Sequence, residues 1–148
     1  MMPTKPFDFD PNLILNVKEI DDEHRALLEL ASRIDHALSA GDRAIDEALA
    51  LIIELRGEMA KHFLSEETLM AKAGYSALSE HQAEHRRLLL HGTDIEMQAT
   101  LRERYSPGEL SRFIHKWLVG HMEVDDKKFG EFMATSQSRR SSMPIPTR

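Results

Sequence analysis

The feature that most narrows what this chain can fold into is a conflict inside its own pattern. His24, His62, Glu66, His81, His85, His121 and Asp126 stand where helical periodicity would otherwise place buried apolar residues. Burying one unpartnered imidazole or carboxylate costs on the order of 1–3 kcal/mol, and more if it stays charged. A core that takes in five imidazoles and two carboxylates needs something for them to bind, so the set reads as metal ligands.

The stripes that these residues interrupt define the fold. Ile20, Leu27, Ala31, Ile34 and Leu38 trace the first, with His24 in its gap, and predict a helix from about Val17. Gly41 and Asp42 supply a stop and an N-cap, after which Ile45, Leu49, Ile52, Leu55, Met59 and Leu69 mark a longer helix that holds His62 and Glu66. Gly74 breaks it, and Ser76 or Ser79 offers the next N-cap. Leu78, Leu88, Ile95 and Ala99 then run with His81 and His85 down a third helix. Ser106 and Pro107 open the fourth as N-cap and first helical residue, with Glu109 as first-turn acid. Its apolar face carries Leu110, Phe113, Ile114, Trp117, Leu118, Met122, Phe129 and Phe132 around His121.

The expected fold is therefore all-α, an up-down-up-down four-helix bundle over residues 17–133 with no strand-like alternation. Residues 1–16, with Pro3, Pro6 and Pro11 among Phe7, Phe9, Leu13 and Leu15, predict an extended N-terminal arm without helix. Residues 134–148, rich in Ser and Arg and ending around Pro144 and Pro146, predict a disordered C-terminal tail.

What the composition lacks limits the chemistry. At 148 residues the chain is long enough for one domain with a single core. It has no cysteine, which leaves no disulfide framework, no thiolate zinc site and no Cys nucleophile, so the available ligands are nitrogen and oxygen. No segment approaches the roughly 18 consecutive apolar residues of a membrane span, and the N-terminal stretch has no apolar run, so a cytoplasmic protein without a membrane partner is expected. Net charge is −6, and because the tail carries Arg139, Arg140 and Arg148 without an acid, the other residues carry −9. That balance argues against nucleic acid as a partner.

Spacing then sorts the ligands. His62 and Glu66 are four apart, as are His81 and His85, so each pair projects from one helix face one turn apart. Five imidazoles with two carboxylates exceed the four ligands of a structural zinc and fit two metals bridged by carboxylate. Imidazole with carboxylate suits iron and also admits manganese, cobalt or zinc. The ferritin-like di-iron bundles need Glu-x-x-His pairs, but here Glu23, Glu80 and Glu84 each stand one residue before a histidine. A histidine-rich site donates less charge to a reduced iron pair than four glutamates would, which favours reversible O₂ binding over cleavage of the O–O bond.

Four segments carry a resemblance to a known family. They are Ile20-Asp21-Asp22-Glu23-His24 with Leu27-Leu28, then His62-Phe63-Leu64-Ser65-Glu66-Glu67, then Met70 through Gly74-Tyr75 to His81 and His85, and last Trp117-Leu118-Val119-Gly120-His121 leading to Asp126-Lys127-Lys128-Phe129. Together they resemble the hemerythrins, above all the single-domain bacterial ones, over roughly residues 13–133. The resemblance implies two oxo- or hydroxo-bridged iron ions, with His81, His85 and His121 on one, His24 and His62 on the other, and Glu66 and Asp126 bridging. It implies O₂ binding end-on at an open position of the second iron, inside a pocket walled by Leu27, Phe63, Trp117 and Leu118. The chain departs from the family pattern outside the ligands: the common tryptophan of the arm is absent, with Phe7 or Phe9 as candidates for its place, Asn16 replaces a frequent glycine, and Ser76, between the second and third helices, replaces a frequent proline.

One ligand is contested by geometry. Asp126 lies five residues beyond His121, about 140° round an ideal helix, whereas Asp125, four beyond, shares its face. The family spacing favours Asp126 and requires a local bulge there. Outside the motif, His36, His91 and His115 are expected at the surface or helix edge, Met59, Met70, Met97 and Met122 in the core, and Glu58, Glu67 and Glu123 in solvent. Asp22 is a candidate acceptor for a ligand imidazole N–H or a helix cap. The expected function is an oxygen carrier, store or sensor rather than an enzyme, with a di-iron oxidase, peroxidase or nitric oxide scavenger of the same fold as the rival. A protein partner would have to bind in trans.

Overall fold

The computed structural model describes residues 11–40, 45–101 and 106–142. Helices α1 (Lys18–Ser39), α2 (Ile45–Ala73), α3 (Leu78–Leu101) and α4 (Pro107–His121) follow one another, and α4 passes through a turn of π-helix, Met122–Asp126, into α5 (Lys127–Ser142). α1 packs on α2, α2 on α3, α3 on α4 and α4 on α1. Cross-helix contacts give the directions: early α1 meets late α2 where Glu23 takes Ser65, and early α4 meets late α1 where Ser111 bonds to Asp35. This is the up-down-up-down bundle. Among the described residues no helix is long and apolar enough to cross a membrane.

The helix boundaries follow local chemistry at several points. Ser106 caps α4 by accepting from the Glu109 N–H at 3.2 Å, with Pro107 in the first turn. Gly74 ends α2 with φ +70°, a left-handed conformation that glycine takes without strain. The cap position of α3 falls to Ala77, whose carbonyl accepts from His81 N, and not to Ser76 or Ser79. The stop and cap assigned to Gly41 and Asp42 lie outside the described residues, as do Pro3, Pro6, Phe7 and Phe9.

Two terminal expectations need correction. The arm contains a 3-10 turn, Pro11–Leu13, closed by a hydrogen bond from Ile14 N to Pro11 O. The helix also continues past Met133 to Ser142, where composition predicted a disordered tail. Extending an existing helix fixes one residue per hydrogen bond gained, so a polar run without Gly or Pro prolongs it readily.

Asp21 fastens the arm. Its buried carboxylate accepts the N–H groups of Leu15 at 2.9 Å and Asn16 at 3.1 Å, reaching back from the first turn of α1 as the acid of a capping box does. Asn16 sits at φ +62°, which asparagine tolerates better than most side chains. The turn delivers Leu15 and Val17 onto Ile20, Met70 and Phe129. Asp21→Ala leaves two N–H groups without their acceptor and is expected to cost about 2 kcal/mol, read as a lower urea midpoint with an unchanged slope.

The core is in two parts with a polar layer between them. The larger apolar cluster includes Leu27, Ile34, Leu55, Met59, Phe63, Leu88, Ile114, Trp117 and Leu118, and the smaller one Leu15, Val17, Ile20, Met70 and Phe129. His24 between Ile20 and Leu27, Glu66 between Phe63 and Met70, and Asp126 between Met122 and Phe129 fall where the chain crosses from one cluster to the other, and His62 and His121 lie one turn away at the edge of the larger cluster. Phe113 and Met97 lie outside both, contrary to expectation, at 42% and 54% exposed. Met97 is two residues from both Ile95 and Ala99, which turns it away from their face. Phe113 lines an open groove of about 850 Å³ between α3 and α4.

Candidate metal centre

All seven ligand candidates meet in the polar layer. Each is buried, and His24, Glu66 and Asp126 have no exposed surface at all. Their donor atoms form two overlapping sets: Glu66, His81, His85, His121 and Asp126 in one, and His24, His62, Glu66 and Asp126 in the other. The two carboxylates belong to both. Glu66 Oε1 lies 2.6 Å from His81 Nε2 and 3.0 Å from His85 Nε2, while Oε2 lies 3.1 Å from His62 Nε2. Asp126 divides in the same way, with Oδ1 at 2.9 Å from His121 Nε2 and Oδ2 at 2.9 Å from His24 Nε2.

The π turn is what lets Asp126 reach. By taking up the residue that an α-helix would rotate past the centre, Met122–Asp126 brings the fifth residue after His121 to the inside. Asp125 stays beside the His121 ring, its Oδ2 3.5 Å from Nδ1. Both aspartates of the contested pair thus face His121, one at each nitrogen.

Two of the outward nitrogens have acceptors of their own, while His24 Nδ1 and His121 Nδ1 make no hydrogen bond. His62 Nδ1 lies 2.7 Å from Glu23 Oε1, and His85 Nδ1 lies 3.1 Å from Glu67 Oε2. An ionised carboxylate only accepts, so each Nδ1 carries the proton and each Nε2, in the neutral ring, presents a lone pair inward. Aromatic packing also orders the rings: Phe63 stacks on His85 at 3.9 Å between centroids and meets His121 edge-on at 5.4 Å.

Sequence reasoning missed Glu23 altogether and expected Glu67 in solvent. Asp22, its candidate for the acceptor role, points away and pairs instead with Lys18 at 2.8 Å and Arg25 at 3.4 Å on the surface. His36 and His91 are exposed, His115 is half-buried, and none joins the centre. Leu27, Phe63, Trp117 and Leu118 are buried in the larger apolar cluster beside the ligands. The Trp117 indole donates to Leu88 O at 2.7 Å and passes so close to α3 that a Cβ on Gly92 would lie 2.9 Å from its ring. Only glycine admits that approach.

These residues fit a cation. His24 Nε2 and His62 Nε2 face each other at 3.1 Å, and Glu66 Oε2, Asp126 Oδ2 and His121 Nε2 are fully buried without a hydrogen bond of acceptable geometry. Metal ions are one answer to such a cluster, and protons are the other. Burial pushes the His62 imidazole down, yet Glu23 and Glu66 outweigh it and hold it up at about 9. His81 behaves alike, with burial overcome by Asp126 and Glu66 and the ring held at about 9. Burial and the Glu66 charge push the Asp126 carboxyl up, but His121 and His24 hold it at about 2. Glu66 is likewise held well below the usual range, against burial, by the imidazoles around it.

The hemerythrin HHE cation binding domain matches this chain over residues 15–132. The chain belongs to the hemerythrin family. It is 31% identical to a bacteriohemerythrin of Methylococcus capsulatus over 116 residues, which cover 78% of this chain and 86% of the relative. A bacteriohemerythrin of Stenotrophomonas maltophilia is 26% identical over 126 residues, covering 81% and 76% of the two chains. A hemerythrin-like protein of Naegleria gruberi is 27% identical over 124 residues, covering 84% and 91%. The hemerythrin match spans α1 to α5 and takes in every residue of the two donor sets.

Proposed function

We propose that this hemerythrin-family chain holds two iron ions in the polar layer and binds O₂ reversibly there, as a cytoplasmic carrier, store or sensor. The observation that carries this reading is the pair of overlapping donor sets that share Glu66 and Asp126. One set offers three histidines and the other two, so with equal carboxylate contributions the second leaves a coordination position for a ligand from outside. Bound iron would supply the electrons that make O₂ binding strong enough to be useful. The chain supplies the rest. Glu66 and Asp126 would bridge, the five Nε2 atoms would complete the two ligand sets, and Glu23 and Glu67 keep His62 and His85 in the metal-binding tautomer.

Reversibility depends on what surrounds the open position. Leu27, Phe63, Trp117 and Leu118 present only hydrocarbon and aromatic surface, apart from an indole N–H already given to Leu88. Such a wall excludes water and offers no acid to promote O–O cleavage, which favours carriage over the oxidase, peroxidase or nitric oxide scavenger alternatives. The test is to reduce the iron-loaded protein without air, admit O₂ and follow the visible charge-transfer band. A band that persists and is removed by vacuum supports carriage. Immediate oxidation with repeated turnover of an added reductant would replace it with an enzyme.

A further inference from the structure

The two halves of the centre are unequally supported. The half made by His24 and His62 has one imidazole fewer than the half made by His81, His85 and His121. It also contains the histidine most tightly bonded to an outer carboxylate. Glu23 lies 2.7 Å from His62 Nδ1, against 3.1 Å for Glu67 at His85 and 3.5 Å for Asp125 at His121. Glu23 is itself fixed, because its second oxygen accepts from Ser65 Oγ at 2.9 Å, so this α1 side chain is pinned by two groups on α2. Lys61, the nearby cation on the same α1–α2 cavity, pairs with Glu58 at 3.3 Å and leaves the Glu23 charge to His62.

A short hydrogen bond from a ring N–H to a carboxylate fixes the tautomer and makes the opposite nitrogen a stronger donor. We propose that Glu23 is the positioning residue of the two-histidine half: with Ser65 it orients His62 and lends it negative charge, offsetting the third imidazole that this half lacks. Glu67 does the same for the other half from a longer distance. The inference rests on the assignment of one metal to each donor set, and the experiment separates the two claims.

Protein stripped of metal by a chelator is titrated with Co²⁺ as the probe, followed by its visible absorption and by the paramagnetically shifted ring N–H resonances. The parent is expected to take up two ions in two steps, the weaker belonging to the two-histidine half. Glu23→Gln keeps an acceptor but loses the charge, and is expected to weaken the weaker step about 10–100-fold while leaving the stronger in place. Glu67→Gln is expected to act on the stronger step. Ser65→Ala, which leaves every ligand intact, should weaken the same step as Glu23→Gln by a smaller factor. In Glu23→Ala the His62 ring N–H resonance should vanish by exchange with water while the others remain. Unchanged titration in Glu23→Gln, or equal weakening of both steps as a general loosening of the bundle would give, overturns the proposal. A parent chain that takes up a single ion refutes the two-metal assignment itself, and the proposal with it.

Discussion

Glu66→Ala is expected to abolish metal loading of the whole centre. Among the described residues only Asp126 shares its place in both donor sets. Glu66 reaches all five histidines, at 3.1 Å from His62, 2.6 Å from His81, 3.0 Å from His85 and 3.8 Å from His24 and His121, where Asp126 reaches His24, His81 and His121 alone. Removing any one histidine subtracts from a single half, as His62→Ala would. Removing Glu66 takes an anionic donor from both halves at once and leaves their cations to repel each other across a thinner screen of charge. Metal that binds only the folded chain stabilises it by about 4 kcal/mol when present at a thousandfold excess over its dissociation constant. For a domain of this size that is a rise in melting temperature on the order of 10 °C or more. The parent should show this rise on loading, and Glu66→Ala should show none, with elemental analysis finding the variant empty. Retention of full metal content in Glu66→Ala would refute the bridging role.

What the sequence made legible and what it hid follow from the same physics. His24, His62, Glu66, His81, His85, His121 and Asp126 could be found because a polar group at a core position contradicts the pattern around it, and that contradiction is written within one helix. Glu23 and Glu67 sit on helix edges, where charge is ordinary, and their role arises only when α1 meets α2 and α2 meets α3. Nothing in local spacing separates Glu23 from Asp22, which is why the acceptor role was expected at the wrong neighbour. Asp21 escaped notice for a similar reason, since its partners are backbone N–H groups in an arm whose path depends on Asn16 turning left-handed.

The Asp125 and Asp126 conflict shows the limit of ideal periodicity. A regular helix cannot present the fourth and fifth residues after His121 to opposite ring nitrogens of the same side chain, but a π turn can. Ideal angles thus favoured the residue that ends up outside. Family spacing favoured the one inside, because it already contains the bulge. The unbroken α5 beyond Met133 marks a different limit: composition reports whether a segment can bury apolar surface, and says little about whether it can ride on a helix already formed.

Loaded and metal-free protein should respond to pH in opposite directions. In chelator-treated protein the His62 and His81 rings are held up at about 9, above their unfolded value near 6.5. A raised histidine contributes stability that is complete below the unfolded value and is lost as pH rises through the folded one. Each of these protons therefore removes about 1.4 kcal/mol per pH unit between roughly pH 7 and 9, and the metal-free bundle should melt progressively lower across that window. Asp126, held at about 2, works at the other end, since its contribution is present above the ordinary carboxylate value and is lost only in strong acid. In loaded protein the metal occupies the nitrogens that those protons would take, so loading near pH 7 should release protons to the buffer, measurable by titration against base. Raising the pH then removes the metal's competitor and strengthens binding. The melting-temperature gap between loaded and chelated samples should widen from pH 6 to 9 and close under acid, as protonation of the imidazoles expels the metal. A gap that stays constant over this range would mean that metal and protons do not compete for His62 and His81, and would remove them from the ligand set.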